Sequence, residues 1–444
     1  MAFVLTTGST SNTPAPNPSN FFYRLSDNDA LITVVQYPAK AAYFSYLSYV
    51  FTSATSHYPA QTTPPNPQQV KSPNPNRYEI FGSVGNAVNN VVVQNQNGLP
   101  WNGKVITHVT TSNATLADNI VIDLVAQGID RNSIFIEKLG SNVRTGRDQD
   151  ADDLMTLIRY ALPEEQITAD NWYASLSSNV LIYKVSKPSL SVVRYPPNQY
   201  TKRTGTDETS LNSALTELAG LLQAWSTTNQ PPSSTGLSAA TTTSPFKPTV
   251  NDVNGEPQGI VGSTCIADGT LCAGDNQDTS NYPNSPDFYL SSNSVLFVAG
   301  VDHNQFNNSS YISLSIYNAK EFAGIASSSQ ANVNAVGFNS GSLTGSDQTV
   351  GSAQSVLQTL GLYDSATPTL KSVLPKLYVA LVSKNCSTVP VSAQYCINLN
   401  GDTLIPDDKT PISIFERSYI RPGDTNGADV NVMVLPQVIG PGKK

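Results

Sequence analysis

Most apolar residues of this chain fall in short runs in which hydrophobic residues partly alternate with small or polar ones. Examples are Ala30–Tyr37 and Ala42–Phe51 near the N-terminus, and Ser294–Val301 and Tyr311–Tyr317 in the C-terminal half. Runs of this length, rich in Val, Ile, Thr and Tyr, predict β-strands that are covered on at least one face. Further strands are predicted at 104–110, 133–139, 180–185, 190–195, 376–382 and 412–419.

A smaller set of segments follows the 3.6-residue period of a helix. The clearest is Thr209–Trp225, whose leucines fall on one face. A second helix is predicted between Asn113, a good N-cap residue, and Gly128, and the strands on either side make a βαβ-like unit. A third is predicted to begin in the acidic run Asp148–Asp153, because carboxylates in a first turn interact favourably with the helix dipole.

The composition divides the chain into two lobes. Residues 1–20 predict a flexible N-terminal arm, 21–226 a β-rich lobe with the inserted βαβ-like unit and helices, 227–262 a Pro/Ser/Thr-rich linker, and 263–444 a second β-rich lobe. The predicted fold class is therefore mainly β with α/β insertions (α+β), built as two β-sandwich or jelly-roll-like lobes.

The two predicted lobes also begin alike. Four positions near the start of the first recur at the same spacing in the second, as Leu25/Leu290, Ser26/Ser291, Asn28/Asn293 and Leu31/Leu296. This repetition fits an internal duplication. The alternative is that any two half-buried hairpins share such a pattern of residues by chance.

The low share of charged residues, the negative net charge and the short apolar runs argue against two kinds of partner, nucleic acids and membranes. Among 444 residues only 13% are charged, about half the usual share, and the net charge is −8. No basic run exceeds two residues, whereas a nucleic-acid partner requires clustered Lys and Arg to neutralise phosphates. No apolar stretch reaches the roughly 18 residues of a membrane span. We therefore predict neither nucleic-acid binding nor a membrane span.

The four cysteines predict two local disulfides. Cys265 and Cys272 are seven positions apart, and Cys386 and Cys396 are ten apart, both in turn-rich surroundings. A zinc site is the rival interpretation, but neither pair has the short gap of a zinc knuckle. Disulfides indicate an extracellular or cell-surface location, although the sequence contains no recognisable leader near Met1.

The loop that follows the first cysteine pair is a candidate metal site. Asp275, Asn276 and Asp278 place oxygen ligands close together, which is the donor type that Ca²⁺ prefers. The alternative is that these side chains only stabilise turns. No other cofactor is predicted.

Catalytic signals are few. Asp302 and His303 lie where a predicted strand ends, and Asp275 or Asp278 could orient the imidazole as a general base. Glu416 and Arg417 are possible helpers. The competing interpretation is that His303 is an ordinary turn histidine exposed to solvent.

These features favour a secreted or surface-exposed binding or structural protein, with a carbohydrate or another protein as its partner. One alternative is a cofactor-independent hydrolase or lyase with a site near Asp275, Asp278 and His303. Another is a virion or filament subunit, since paired β lobes with an N-terminal arm would suit assembly. Whether the protein is an enzyme is left open by the sequence.

Overall fold

The computed structural model describes most of the chain in two compact units, hereafter unit 1 and unit 2. Unit 1 consists of Met1–Lys202, Ile260–Asp278 and Ala323–Asn332, and unit 2 of Arg203–Gly259, Thr279–Phe322 and Val333–Lys444. The described residues are 2–5, 22–60, 69–98, 101, 103–198, 203–229, 241–245, 250–251, 257–258, 262–272, 277–283, 288–292, 294–318, 337–341, 349–399 and 408–441.

Strands make up most of the regular structure in both units. The described strands are β1 (Ala2–Leu5), β2 (Asp29–Gln36), β3 (Ala41–Ala54), β4 (Val70–Lys71), β5 (Arg77–Ser83), β6 (Val88–Asn89), β7 (Val105–Thr111), β8 (Ile134–Lys138), β9 (Asp153–Pro163), β10 (Val180–Ser186), β11 (Thr241–Pro245), β12 (Val250–Asn251), β13 (Pro257–Gln258), β14 (Thr279–Pro283), β15 (Phe288–Tyr289), β16 (Val295–Val301), β17 (Tyr311–Asn318), β18 (Gly337–Gly341), β19 (Leu377–Ser383), β20 (Cys396–Asn398), β21 (Pro411–Tyr419) and β22 (Gln437–Pro441). The described helices are α1 (Asn90–Asn97), α2 (Ala114–Ala126), α3 (Gln166–Ala174), α4 (Leu176–Asn179), α5 (Asn212–Asn229), α6 (Gly262–Asp268), α7 (Ser352–Thr359) and α8 (Pro368–Val373). The predicted α+β class is confirmed.

Unit 1 is built from two sheets that pack face to face. One sheet has the order β1-β9-β3-β5-β4, with β6 also paired to β3, and the other has the order β10-β2-β7-β8. Tyr46 of the first sheet stacks on His108 of the second, with ring centroids 3.9 Å apart. Ser48 of β3 donates a hydrogen bond of 2.6 Å from its hydroxyl to Glu137 of β8. The interior of this sandwich is thus partly polar.

Among its described residues unit 2 contains the small two-stranded sheet β12-β13 and two larger sheets, and its interior is more apolar. Their orders are β11-β22-β16-β19-β20 and β14-β21-β17-β18, with β15 also paired to β21. Helix α5 buries Leu215, Leu218 and Leu222 in the same core as Phe297 of β16. The amphipathic pattern that predicted this helix therefore marks the face that packs against the sheet. Helix α5 lies in unit 2, whereas the sequence-based boundaries place its residues 212–226 in the first lobe.

The two units repeat one arrangement of strands. In unit 1, β2 pairs with β10 and with β7, which is parallel to β8, while β3 pairs with β5 and β9. In unit 2, β16 pairs with β22 and with β19, which is parallel to β20, while β17 pairs with β18 and β21. These seven strands of each unit thus correspond one to one and in the same chain order.

A side-chain hydrogen bond and a positive backbone φ also recur at corresponding places in the two units. The Thr111 hydroxyl donates to the carbonyl of Asp29 (2.9 Å), and the Ser383 hydroxyl donates to that of Ser294 (3.2 Å). Near the ends of β9 and β21, Leu162 and Ile420 both adopt positive φ, 52° and 41°. Positive φ is uncommon outside glycine and a genuine outlier for a β-branched residue such as Ile420. An internal duplication would produce this agreement, and the duplication stays a prediction.

Two local predictions are wrong. Asp148–Asp153 does not start a helix, because Asp153–Pro163 is the long strand β9. That strand pairs with β3 along most of its length, and these ladder bonds outweigh the weak helical preference of the segment. The predicted strand at 190–195 is reduced to isolated bridges at Arg194 and Tyr195.

The ends and the linker of the predicted layout are only partly described. Within the predicted N-terminal arm, Ala2–Leu5 forms β1 and pairs with β9, and residues 6–20 lie outside the described residues. Within the predicted linker 227–262, α5 continues to Asn229, and β11 pairs with β22.

Both predicted disulfides are present. Cys265 is bonded to Cys272 in unit 1, and Cys386 is bonded to Cys396 in unit 2. Two disulfides indicate a non-reducing, extracellular setting. In the part of the chain that the structure describes, none of the helices is both long and apolar enough to cross a bilayer.

Candidate functional site

Unit 1 contains an open recess with a volume of about 480 Å³, hereafter the unit 1 recess. Three chain segments, at 54–56, 74–77 and 149–150, and the side chain of Arg24 form its wall. The lining residues are Arg24, Ala54, Thr55, Ser56, Asn74, Asn76, Arg77, Gln149 and Asp150. All lie at one end of the β3–β5 ladder, whose last pair is Ala54 opposite Arg77.

Asparagine and aspartate side chains fix the turns around the recess. The carboxamide oxygen of Asn74 accepts a hydrogen bond from the amide of Asn76 (3.1 Å). The carboxylate of Asp148 accepts from the amides of Asp150 and Ala151, both at 3.1 Å. Asn and Asp favour turns because their side chains can bond to the backbone two residues ahead. The acidic run predicted as a helix start therefore folds as a turn that forms one wall.

A buried arginine connects the floor of the recess to the strands beneath it. Arg77 donates from Nε to the hydroxyl of Thr52 (2.6 Å) and from Nη2 to the carbonyls of Thr52 (2.9 Å) and Ala151 (2.8 Å). Its Nε also lies 2.8 Å from the Asp153 carboxylate, with which it forms an ion pair. Its Nη1 donates to the carbonyl of Gln149 (2.7 Å). Burial lowers the pKa of Arg77, and the charge of Asp153 opposes that shift. The guanidinium is thus largely occupied by the protein itself.

A second arginine shares the same carboxylate and keeps free donors. Arg24 Nε donates to the other oxygen of Asp153 (2.7 Å), and its Nη1 donates to the carbonyl of Asp148. The side chain is 26% exposed. Its Nη2 has no partner among the described residues. Arg24 is therefore held in place at one end and able to donate to a ligand at the other.

Several other polar side chains on the wall are unpaired. Within the described part of the chain, no hydrogen bond occupies the Ser56 hydroxyl, the Asn76 amide, the Gln149 amide or the Asp150 carboxylate. All four residues are exposed. Opposite, His57 Nε2 contacts the carbonyl of Asp150 at 2.8 Å and joins two of the turns. The recess thus offers both donors and acceptors.

Two of the predicted catalytic residues meet in unit 2. His303 Nε2 lies 3.0 Å from Glu416 Oε1, and Nδ1 lies 2.8 Å from Glu208 Oε1. The second oxygen of Glu416 accepts a hydrogen bond from the Tyr378 hydroxyl. Asn308 and the amide of Val434 donate to Glu208 at 2.7 and 2.9 Å. We call Glu208, His303, Tyr378 and Glu416 the histidine cluster.

The histidine cluster is fully buried, and its imidazole is charged. Burial alone would lower the pKa of His303, but the charges of Glu208 and Glu416 raise it to about 10. Both ring nitrogens therefore carry protons at neutral pH, and each donates to a carboxylate. A general base needs a free lone pair within reach of substrate. This geometry fits a structural ion cluster that holds α5 against the sheets, and the catalytic role stays a prediction.

The other predicted catalytic residues take different positions. Asp302 is buried and accepts a hydrogen bond from the amide of Asn304 (3.2 Å), so it stabilises the turn that carries His303. Arg417 follows Glu416 in β21, so its side chain points to the opposite face, and it lies 5.7 Å from the ring of Phe415.

The predicted calcium loop is only partly described. Asp275 and Asn276 lie outside the described residues. Asp278 is buried in unit 1, where it accepts hydrogen bonds from the Tyr43 hydroxyl and from Asn89 Nδ2 (3.4 Å). Burial raises the pKa of Asp278. In the described ranges no group of three or more His, Cys, Asp or Glu side chains could hold a metal ion, and calcium stays a prediction.

Comparisons with known proteins add little. No protein-family model matches the chain, and no curated protein sequence does. A solved structure of an uncharacterized protein from Burkholderia cenocepacia has 9% identity and a TM-score of 0.35, covering 98% of this chain and 80% of that one. The VPA0106 protein from Vibrio parahaemolyticus has 10% identity and a TM-score of 0.36, covering 94% and 87%. Similarities this low support no conclusion about function.

Proposed function

We propose that the protein is a secreted or cell-surface binding protein and that the unit 1 recess holds a carbohydrate. The observation that carries the proposal is the set of unpaired hydrogen-bonding side chains on its wall. Sugar hydroxyls both donate and accept, and the wall supplies both kinds of group. A donor or acceptor that a ligand satisfies contributes to affinity, whereas one left unpaired in a closed complex is costly.

The size of the recess favours a small ligand over a protein surface. A volume of about 480 Å³ falls within the range of small-molecule sites, roughly 300–1,000 Å³. A stable protein interface needs about 800 Å² from each partner, which a single recess does not supply. The wall is more polar than that of a typical drug-like pocket, as expected for a polyhydroxylated ligand.

The setting of the protein fits this proposal. Both disulfides favour an oxidising compartment, where extracellular carbohydrates are available. The low share of charged residues leaves a surface of neutral polar groups. The hydrolase or lyase alternative would need an accessible base, whereas both nitrogens of His303 are occupied in a buried cluster.

The experiment is a glycan array followed by calorimetry on the best ligand. Asn76→Ala removes an exposed amide that has no partner among the described residues, so the fold should be unaffected. Loss of one or two hydrogen bonds to the ligand predicts binding about tenfold weaker. Asn132→Ala, which removes an exposed amide elsewhere in unit 1, is the matched control. Equal binding by both variants, or no binding to any glycan, would refute the proposal.

The assembly alternative is tested separately. A virion or filament subunit would form a large particle at micromolar concentration, which light scattering measures directly. A monomer would remove that alternative and leave the carbohydrate proposal unaffected.

A further inference from the structure

The charged side chains around the unit 1 recess carry no net positive charge. Arg24 and Arg77 each contribute one positive charge, and Asp150 on the wall and Asp153 beneath it each contribute one negative charge. Asp148, beside the wall, adds a further negative charge through a carboxylate that binds backbone amides. An anionic ligand would therefore meet no net positive field.

The two arginines differ in what they can offer a ligand. Arg77 is buried, and each of its three nitrogens already donates to the Thr52 hydroxyl or to a backbone carbonyl, while its charge is paired with Asp153. Arg24 has one terminal nitrogen without a partner among the described residues. A single terminal nitrogen cannot form the paired bonds to a carboxylate that a free guanidinium makes. It can still donate to a hydroxyl.

The carboxylate of Asp150 also favours uncharged ligands over anionic ones. Its carboxylate is exposed, and in the described part of the chain no side chain or amide donates to it. A carboxylate accepts hydrogen bonds from neutral hydroxyls and repels a carboxylate or sulfate on a ligand. The wall thus places one charged donor and one charged acceptor around a common space.

Building on the proposed function, we infer that the recess selects uncharged sugars over acidic ones, with Arg24 donating to ligand hydroxyls and Asp150 accepting from them. Asp150 is the residue that determines this specificity. Replacing it by asparagine keeps the shape of the wall and removes its negative charge.

The test compares neutral oligosaccharides with uronic-acid oligosaccharides of the same length by calorimetry at low and high salt. The unmodified protein should bind the neutral series, with little dependence on salt. Asp150→Asn should bind the neutral series more weakly and gain about fivefold for the acidic series at low salt, the size expected for one exposed charge pair. That gain should disappear at high salt because exposed charges are screened.

Asp118→Asn is the matched control, since it makes the same change of charge at an exposed site on α2. The inference is overturned if the unmodified protein prefers the acidic series, or if Asp150→Asn and Asp118→Asn behave alike. In either case the proposed function survives provided that Asn76→Ala still weakens binding. If neither series binds, the proposed function itself fails.

Discussion

Replacing His303 by glutamine should destabilise unit 2 strongly. The substitution removes the imidazolium that lies between Glu208 and Glu416, and all three side chains are fully buried. Glutamine can still donate a hydrogen bond to one carboxylate. It cannot neutralise either of them, so two like charges would face each other in a dry interior.

The expected loss is about 3–5 kcal/mol, the usual cost of breaking a buried ion pair from one side. The pKa of His303, which the two carboxylates raise to about 10, agrees in direction, because the folded state favours the charged imidazole. For a unit of roughly 200 residues, each kcal/mol lowers the melting temperature by about 2–4 °C. We therefore expect a decrease of about 6–20 °C.

The pH dependence provides an independent readout. Because the pKa of His303 is higher in the folded state, its stabilising contribution is fully present below pH 6.5 and is lost as the pH rises towards 10. The unmodified protein should thus lose stability across that window, and His303→Gln should show a flatter profile.

Calorimetry and urea unfolding at several pH values measure both effects. His57→Gln, in a short 3-10 helix of unit 1, is the control and should change stability by less than about 1 kcal/mol. A His303→Gln protein that melts within about 2 °C of the original, with the same pH profile, would refute the view that the cluster is a buried ion network.

Two further predictions concern the disulfides and two glycines. Replacing Cys386 and Cys396 by serine should lower the free energy of unfolding by about 2–4 kcal/mol. Thiol titration of the unmodified protein should detect four thiols only after reduction, and free thiols beforehand would contradict the pairing. Gly220→Ala should stabilise α5 by about 0.5–1 kcal/mol, since among the described residues nothing lies near the added methyl group. Gly300→Ala should lower the free energy of unfolding by about 1–3 kcal/mol, because its Cβ would lie 2.6 Å from the buried ring of Tyr378. Urea unfolding measures both glycine variants. A lower midpoint for Gly220→Ala or a higher one for Gly300→Ala would contradict the packing described around these two glycines.

The sequence by itself determined the elements whose information is local. Strands β2, β3, β16 and β17 could be predicted because apolar and β-branched residues recur with the period of a strand. Helix α5 could be predicted from its apolar stripe, and both disulfides from cysteines only seven and ten positions apart. In each case the pattern that specifies the feature lies within a few residues of it.

Only the tertiary structure decided the features that join distant segments. Residues 153–163 have apolar positions that suit a helix or a strand, and pairing with β3 selects the strand. His303 meets Glu208 and Glu416 from 95 and 113 positions away. The recess likewise combines Arg24 with turns near residues 55, 75 and 150. Because such contacts depend on the register of the sheets and not on local periodicity, no single stretch of the sequence reveals them.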